Sequence, residues 1–165
     1  MDNKGKNNFP CINDDCTNCG LCNKVCSGQY NNNDITKSHF FAALDLGRHI
    51  YISYSTNENI RNAGSSGGFI TQYLLELFEN KIIDGAIVAK SDGSLAGTKA
   101  AIALTKEQII AASGSKYYPV SSCSVLKEIE RDKKYAFVGK GCDLSSLNLL
   151  QKEMPKLKET IYIKI

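Results

Sequence analysis

Asn62-Ala-Gly-Ser-Ser-Gly-Gly68, followed by Phe69-Ile-Thr-Gln-Tyr-Leu-Leu-Glu-Leu-Phe78 and then by Asp84-Gly-Ala-Ile-Val-Ala89, is the stretch that decides the fold. The first part is rich in turn formers. In the second, Phe69, Ile70, Tyr73, Leu74, Leu77 and Phe78 recur at helical spacing, which predicts a helix with these six side chains on one buried face. The third is a short apolar run of the kind that a buried strand needs.

Downstream the same alternation repeats. Thr98-Lys-Ala-Ala-Ile-Ala-Leu104 reads as the neighbouring strand, and Thr105-Lys-Glu-Gln108 has the form of a capping box that opens a short helix. A helix is expected from Ser122 to Arg131, then a strand over Tyr135-Ala-Phe-Val138, the turn Gly139-Lys-Gly-Cys-Asp143, and a helix through Leu144 to Lys152. Upstream, Ile50-Tyr-Ile-Ser-Tyr54 is β-like. Strands alternating with helices predict an α/β fold, with α+β the alternative, built on a mixed and partly parallel sheet with flanking helices. That domain is expected over 45–165. The β-like segment Thr160-Ile-Tyr-Ile-Lys-Ile165 at the end suggests a domain that is incomplete at its C-terminal side.

Residues 1–36 are different: polar, rich in cysteine and without apolar periodicity, so that metal ligation rather than burial would order them. They hold Cys11, Cys16, Cys19, Cys22 and Cys26, and the last four are spaced C-x2-C-x2-C-x3-C. Thiolates at that spacing can wrap a chain around one face of a 4Fe-4S cubane, and Gly20 lets backbone amides approach it. Zinc is the rival, but it usually takes two separated cysteine pairs or cysteines with histidines, and His39 and His49 lie downstream without ligand spacing. Buried thiols or disulfides are the bland alternative in a loop this polar. Cys16, Cys19, Cys22 and Cys26 are the candidate ligands, in a ferredoxin-like segment. The fourth bond is open among Cys26, Cys11, Cys123 and Cys142. Ser27 follows Cys26 where ferredoxin loops usually carry proline.

Length and charge exclude several classes. The 165 residues give room for one ordinary core plus the cysteine segment. A net charge of +3 and a pI of about 8.4, with dispersed lysines, give no basic stripe for nucleic acid. No apolar run reaches membrane-spanning length, and the first eight residues carry no export signal. Grouped cysteines without such a signal point to a reducing cytoplasm.

Three loops are candidates for ligand contact. Gly64-Ser-Ser-Gly-Gly68 lies ahead of an apolar helix, where exposed amides favour a phosphate; it is equally a glycine turn with a serine cap. Gly114-Ser-Lys-Tyr-Tyr-Pro119 brings a cation and two aromatics together, suited to a planar anionic cofactor or simply to a surface loop. Gly139-Lys-Gly-Cys-Asp143 follows a strand and precedes a helix, but it is neither a dinucleotide fingerprint, having Leu144 where the third glycine belongs, nor a Walker loop. Near a helix N-terminus, Cys142 is either a redox-active thiol or ligand, or a small buried one. Cys123 reads as structural, and His39 and His49 as surface or partly buried side chains without a role.

Arg61-Asn-Ala-Gly-Ser-Ser-Gly-Gly68, Asp84-Gly-Ala-Ile-Val88, Gly114-Ser-Lys-Tyr117 and Phe137-Val-Gly-Lys-Gly-Cys-Asp143, in this order and at these separations, resemble the coenzyme F-420 hydrogenase/dehydrogenase beta-subunit family. The resemblance spans residues 13–165. It implies ferredoxin-type cysteine loops joined to an α/β flavoprotein unit, with a 4Fe-4S cluster on the first cysteines. It also implies FAD against Ser65, Ser66, Gly67, Gly68, Ser115, Lys116 and Tyr117, with Lys116 stabilising the reduced flavin and Cys142 in a catalytic place. The function so implied is an iron-sulfur flavoprotein oxidoreductase, as subunit or fragment, that moves electrons between cluster and flavin for an organic small-molecule substrate and works with a redox partner protein or subunit. The alternative is a non-catalytic iron-sulfur electron-transfer module docked on a larger enzyme. A third reading is a truncated relic that folds only with a missing region or partner. The chain departs from the family in three respects. It has Gly139-Lys-Gly-Cys-Asp143 where the family commonly has Gly-Thr-Pro-Cys-Gln, it has one cysteine motif where many relatives have two, and it lacks the later Cys-His-Gly motif.

Overall fold

The computed structural model describes residues 14–30, 51–91, 93–94 and 97–165. Cys11, His39, His49 and Ile50 lie outside them, as does most of the rest of the 1–50 region.

The sheet contains four strands among the described residues: β1 (Gly85–Lys90), β2 (Lys99–Ala103), β3 (Tyr135–Phe137) and β4 (Ile161–Lys164), in the order β2-β1-β3-β4. The sheet is mixed: β1 pairs antiparallel with β2 from Ala86 opposite Ala103 to Lys90 opposite Lys99, while β1 with β3 and β3 with β4 are parallel. The α/β expectation is therefore met. Parallel neighbours need a crossover, and between β3 and β4 it is made by α5 (Gly141–Glu153) and α6 (Leu157–Thr160).

Because side chains alternate along a strand, the sheet feeds two cores. On one face Ala86, Val88, Ala103 and Ala136 meet Ile60 of α2 (Glu58–Ala63), Leu74, Leu75 and Leu77 of α3 (Phe69–Glu79), and Ile109 of α4 (Lys106–Ala111). On the other, Ile87, Tyr135, Phe137 and Ile161 meet Val125 and the fully buried Leu147 of α5. Buried Gln151 is satisfied there: its amide donates to Leu157 O at 3.2 Å and to Ile161 O at 2.6 Å, which ties α5 to the entry of β4.

Four local expectations are corrected. Residues 51–54 form no strand; Tyr51, Ile52 and Tyr54 are 78%, 98% and 61% exposed, so no sheet face covers them. On α3 the buried stripe is Thr71, Leu74, Leu75 and Leu77 with Phe78 half-buried, whereas Phe69, Ile70 and Tyr73 are exposed and Phe69 stacks on Tyr73 with ring centroids 6.0 Å apart. Outside the polar stripe of Gln72, Glu76 and Glu79 the helix is apolar over more than one face, and the sheet takes the part that admits the smaller Thr71. The Ser122–Arg131 helix is a 3₁₀ turn over Ser122–Lys127, with i→i+3 bonds such as Glu128 N–H to Val125 O at 2.9 Å. Its three-residue period buries Ser122 and Val125 on the same side. Finally, α5 begins at Gly141 rather than at Leu144, so Cys142 and Asp143 are in its first turn. The Thr105 cap is present: its hydroxyl accepts the Gln108 N–H at 3.3 Å, while the Gln108 side chain reaches Leu104 N–H at 2.7 Å.

Of the cysteine segment, α1 (Leu21–Lys24) and a 3₁₀ turn (Ser27–Tyr30) are described. They rest on α5: Ser27 N–H donates to Ser146 Oγ at 3.1 Å and Lys24 pairs with Glu153 at 3.7 Å. Among the described residues no helix is long and apolar enough to cross a membrane.

Candidate functional site

After β1 the chain turns back into the antiparallel β2 and reaches α4 only beyond it, whereas β3 leads directly into α5; α4 packs on one face of the sheet and α5 on the other. The region beyond the C-terminal ends of parallel strands is where open α/β sheets hold their ligands. A cavity of about 360 Å³ lies there, with Val88 and Ala89 from the end of β1 and Val138, Gly139 and Lys140 from the end of β3 in its wall.

The two other loops singled out in the sequence meet at the same cavity. Gly64, Ser65, Ser66 and Gly68 line one side, and Ser113, Gly114, Ser115 and Lys116 another; Leu74, Ile109 and Val120 are among the apolar lining. The first loop is folded tightly against α2. A Cβ on Gly64 would stand 2.6 Å from Gly68 N, and one on Gly68, at φ +70°, would stand 2.5 Å from Ile60 O. Only glycine fits both places. Gly68 is the N-cap of α3, and no side chain caps that helix, so its first-turn amides are left for other partners.

The loops are joined by one hydrogen bond, Ser115 N–H to Ser65 Oγ at 2.7 Å. Next to it the Lys116 ammonium donates to Ser113 O, Gly114 O and Ala112 O at 2.6, 2.8 and 3.2 Å. Burial holds its pKa below the ordinary lysine range. Across the cavity, Asp143 Oδ2 accepts from Lys140 Nζ at 2.8 Å, Lys140 N–H at 3.1 Å and Ser122 Oγ at 3.0 Å. The N-terminus of α5 is thus already supplied with an anion from within the chain, in contrast to that of α3.

Three sequence candidates stand apart from this wall. Gly67 faces Tyr54 and its carbonyl accepts the Ser55 N–H at 2.7 Å; Tyr117 is 93% exposed; and Cys142 is exposed on the first turn of α5, outside the lining. Ser122 and Thr71 line the cavity without having been singled out, and so does Tyr118, which the sequence offers only as one of two aromatics in its loop. The paired aromatics at 117 and 118 signalled Tyr118, whereas Ser122 owes its place to Asp143, 21 residues away, which no local pattern reveals. Cys123 is half-buried, and burial, with Asp143 and Cys142 nearby, pushes its thiol up to about 11.

Cys16, Cys19, Cys22 and Cys26 are all exposed. Left-handed Asn18 (φ 54°) and Gly20 (φ 72°) bend the chain between them. The Leu21 N–H and the Thr17 hydroxyl hold the Cys19 thiol below its ordinary pKa, favouring the ligating thiolate. Among the described residues no three metal-ligating side chains converge on a point, so ligation would draw these thiols together. An all-thiol donor set on a turning, exposed loop fits an iron-sulfur cluster.

In class, the chain is an α/β domain with a glycine- and serine-lined cavity at the C-terminal ends of β1 and β3 and a cysteine segment mounted on α5. Residues 50–127 match the family described as coenzyme F420 hydrogenase/dehydrogenase, beta subunit N-term. An uncharacterized protein of Methanocaldococcus jannaschii is 30% identical over 156 residues, covering 89% of this chain and 41% of that protein. The coenzyme F420 hydrogenase subunit beta of Methanococcus voltae is 31% identical over 103 residues, covering 59% of this chain and 36% of its own length. Among solved structures, a chain of the F420-reducing [NiFe] hydrogenase complex from Methanosarcina barkeri superposes with a TM-score of 0.58 at 27% identity, over 65% of this chain and 38% of that one. The chain thus spans about two fifths of the length of the relatives it matches.

Proposed function

We propose that the chain is the cofactor-bearing part of an iron-sulfur flavoprotein oxidoreductase. The observation that carries the reading is the meeting of three separate loops, Gly64–Gly68, Ser113–Lys116 and Gly139–Lys140, on one cavity, while the cysteine segment is fastened to the helix that leaves it. The volume lies within the range of small-molecule sites, about 300–1,000 Å³. In this reading the uncapped amides of α3 with Ser65 and Ser66 take a phosphate or another anionic group of FAD, and the Ser113–Lys116 loop borders the rest. Cys16, Cys19, Cys22 and Cys26 bind a 4Fe-4S cluster, and Cys142 lies one helical turn before Ser146, on the side of α5 that holds Ser27.

When bound, the flavin couples one-electron exchange with the cluster to two-electron chemistry on a substrate. The protein contributes position: α5 carries the cysteine segment at Ser146 and Glu153, and its first turn starts at the cavity wall. The relatives' names support a redox subunit that works with partner polypeptides. An anaerobic titration of the chain with FAD tests the reading. Stoichiometric binding that weakens in Ser65→Ala supports it; a chain that takes up a cluster but no flavin is an electron-transfer module instead.

A further inference from the structure

An ammonium has three hydrogens, and for Lys116 three carbonyl oxygens accept them: Ser113 O at 2.6 Å, Gly114 O at 2.8 Å and Ala112 O at 3.2 Å. Ala112 is the C-cap of α4, so the charge sits where that helix exposes its last carbonyls and the negative end of its dipole. The same turn contains Gly114 at φ +81° and presents the Ser115 N–H to Ser65 Oγ at 2.7 Å. Beyond Ser65 the glycine loop is pinned to α2, because Gly68 is packed against Ile60 O. Lys116, the Ser113–Ser115 turn, Ser65 and the end of α2 thus form one continuous series of contacts along the cavity.

We propose that Lys116 is a positioning residue, which fastens the Ser113–Ser115 turn so that the two loops flanking the cavity are joined at Ser65 and Ser115 before any ligand enters. Its hydrogens point into the turn, and its effect on a ligand comes through the placement of Ser115 and Ser65 rather than through a direct ion pair. The identity of that ligand as FAD rests on the function proposed above. The latch itself is a property of the cofactor-free chain.

The test is hydrogen exchange on the full 165-residue chain without cofactor, comparing wild type, Lys116→Met and Ser65→Ala. Hydrogen bonds to a charged group are among the stronger ones, so Lys116→Met is expected to speed exchange at the Ser113 and Ser115 amides on the order of tenfold, and Ser65→Ala to do so at Ser115. Unchanged exchange at residues 113–115 in Lys116→Met overturns the proposal. FAD titrations at low and high salt supply a second readout. A latch predicts weaker binding in Lys116→Met with the wild-type salt slope, and losses in Lys116→Met and Ser65→Ala that do not add in the double variant. Loss of the salt slope with Lys116 makes it a direct contact and also overturns the proposal. If wild type binds no FAD, the flavin reading falls while the exchange result still decides the latch.

Discussion

Gly68→Ala is the sharpest perturbation of the site's framework. At φ +70° an alanine occupies the left-handed region at a cost of about 1–2 kcal/mol. Its Cβ would also stand 2.5 Å from Ile60 O and 2.9 Å from Ile60 C. That carbonyl already accepts the Gly64 N–H at 3.1 Å, so relief requires movement of the last turn of α2 and of the buried Ile60. Overpacking of this kind costs about 1–3 kcal/mol more. The sum, about 2–5 kcal/mol, lowers the melting temperature of a chain this size by roughly 5–15 °C. Thermal unfolding followed by circular dichroism reads it, with two glycines as references. Gly93→Ala, at φ +94° with nothing within 4 Å of its Cβ, carries the backbone cost alone, and Gly141→Ala, in open space at the start of α5, is neutral or slightly stabilising. If Gly68→Ala melts with Gly93→Ala, the close approach to Ile60 is wrong, and with it the argument that glycine shapes this wall of the cavity.

Leu147→Ala empties a fully buried position between α5 and the sheet and should cost about 2–5 kcal/mol in urea denaturation; a loss below about 1 kcal/mol would deny α5 its place on the sheet. Glu153→Gln removes a pair of 3.7 Å between side chains 41% and 62% exposed, and should change stability by no more than about 0.5 kcal/mol in the same assay. Cys123 has its pKa raised from 9.0 to about 11, so between those values the unfolded chain gives up a proton that the folded chain keeps. The contribution of this thiol is therefore lost as pH rises through that window, and Cys123→Ala should show a shallower decline in stability there. In iodoacetamide labelling Cys123 should react after the exposed Cys142; equal rates would contradict its burial.

The sheet was legible because strand-length apolar runs separated by glycine and polar turns leave few other assignments, and β1, β2, β3 and β4 all fall on such runs. The three loops were legible as punctuation; that they share one cavity follows from sheet order, which the chain does not spell out locally. The face of α3 was misread because Phe69, Ile70 and Tyr73 are as apolar as the residues that pack, and tertiary contact alone separates the two sets. Residues 51–54 have the composition of a strand, yet Tyr51, Ile52 and Tyr54 stay exposed and the segment takes no strand conformation. Lys116 looked like a cation for a ligand, and nothing in Gly114-Ser-Lys-Tyr117 indicates that its hydrogens are directed to the carbonyls before it.

In the proposed function one chain carries both a cluster and a flavin. Anaerobic reconstitution with iron, sulfide and FAD, followed by absorption spectroscopy and iron, sulfide and flavin assays on the desalted protein, tests it most directly. About four irons and one flavin per chain are expected, with the irons lost and the flavin kept when Cys19 is changed to serine. A folded chain that retains only one of the two groups, or neither, would contradict that function.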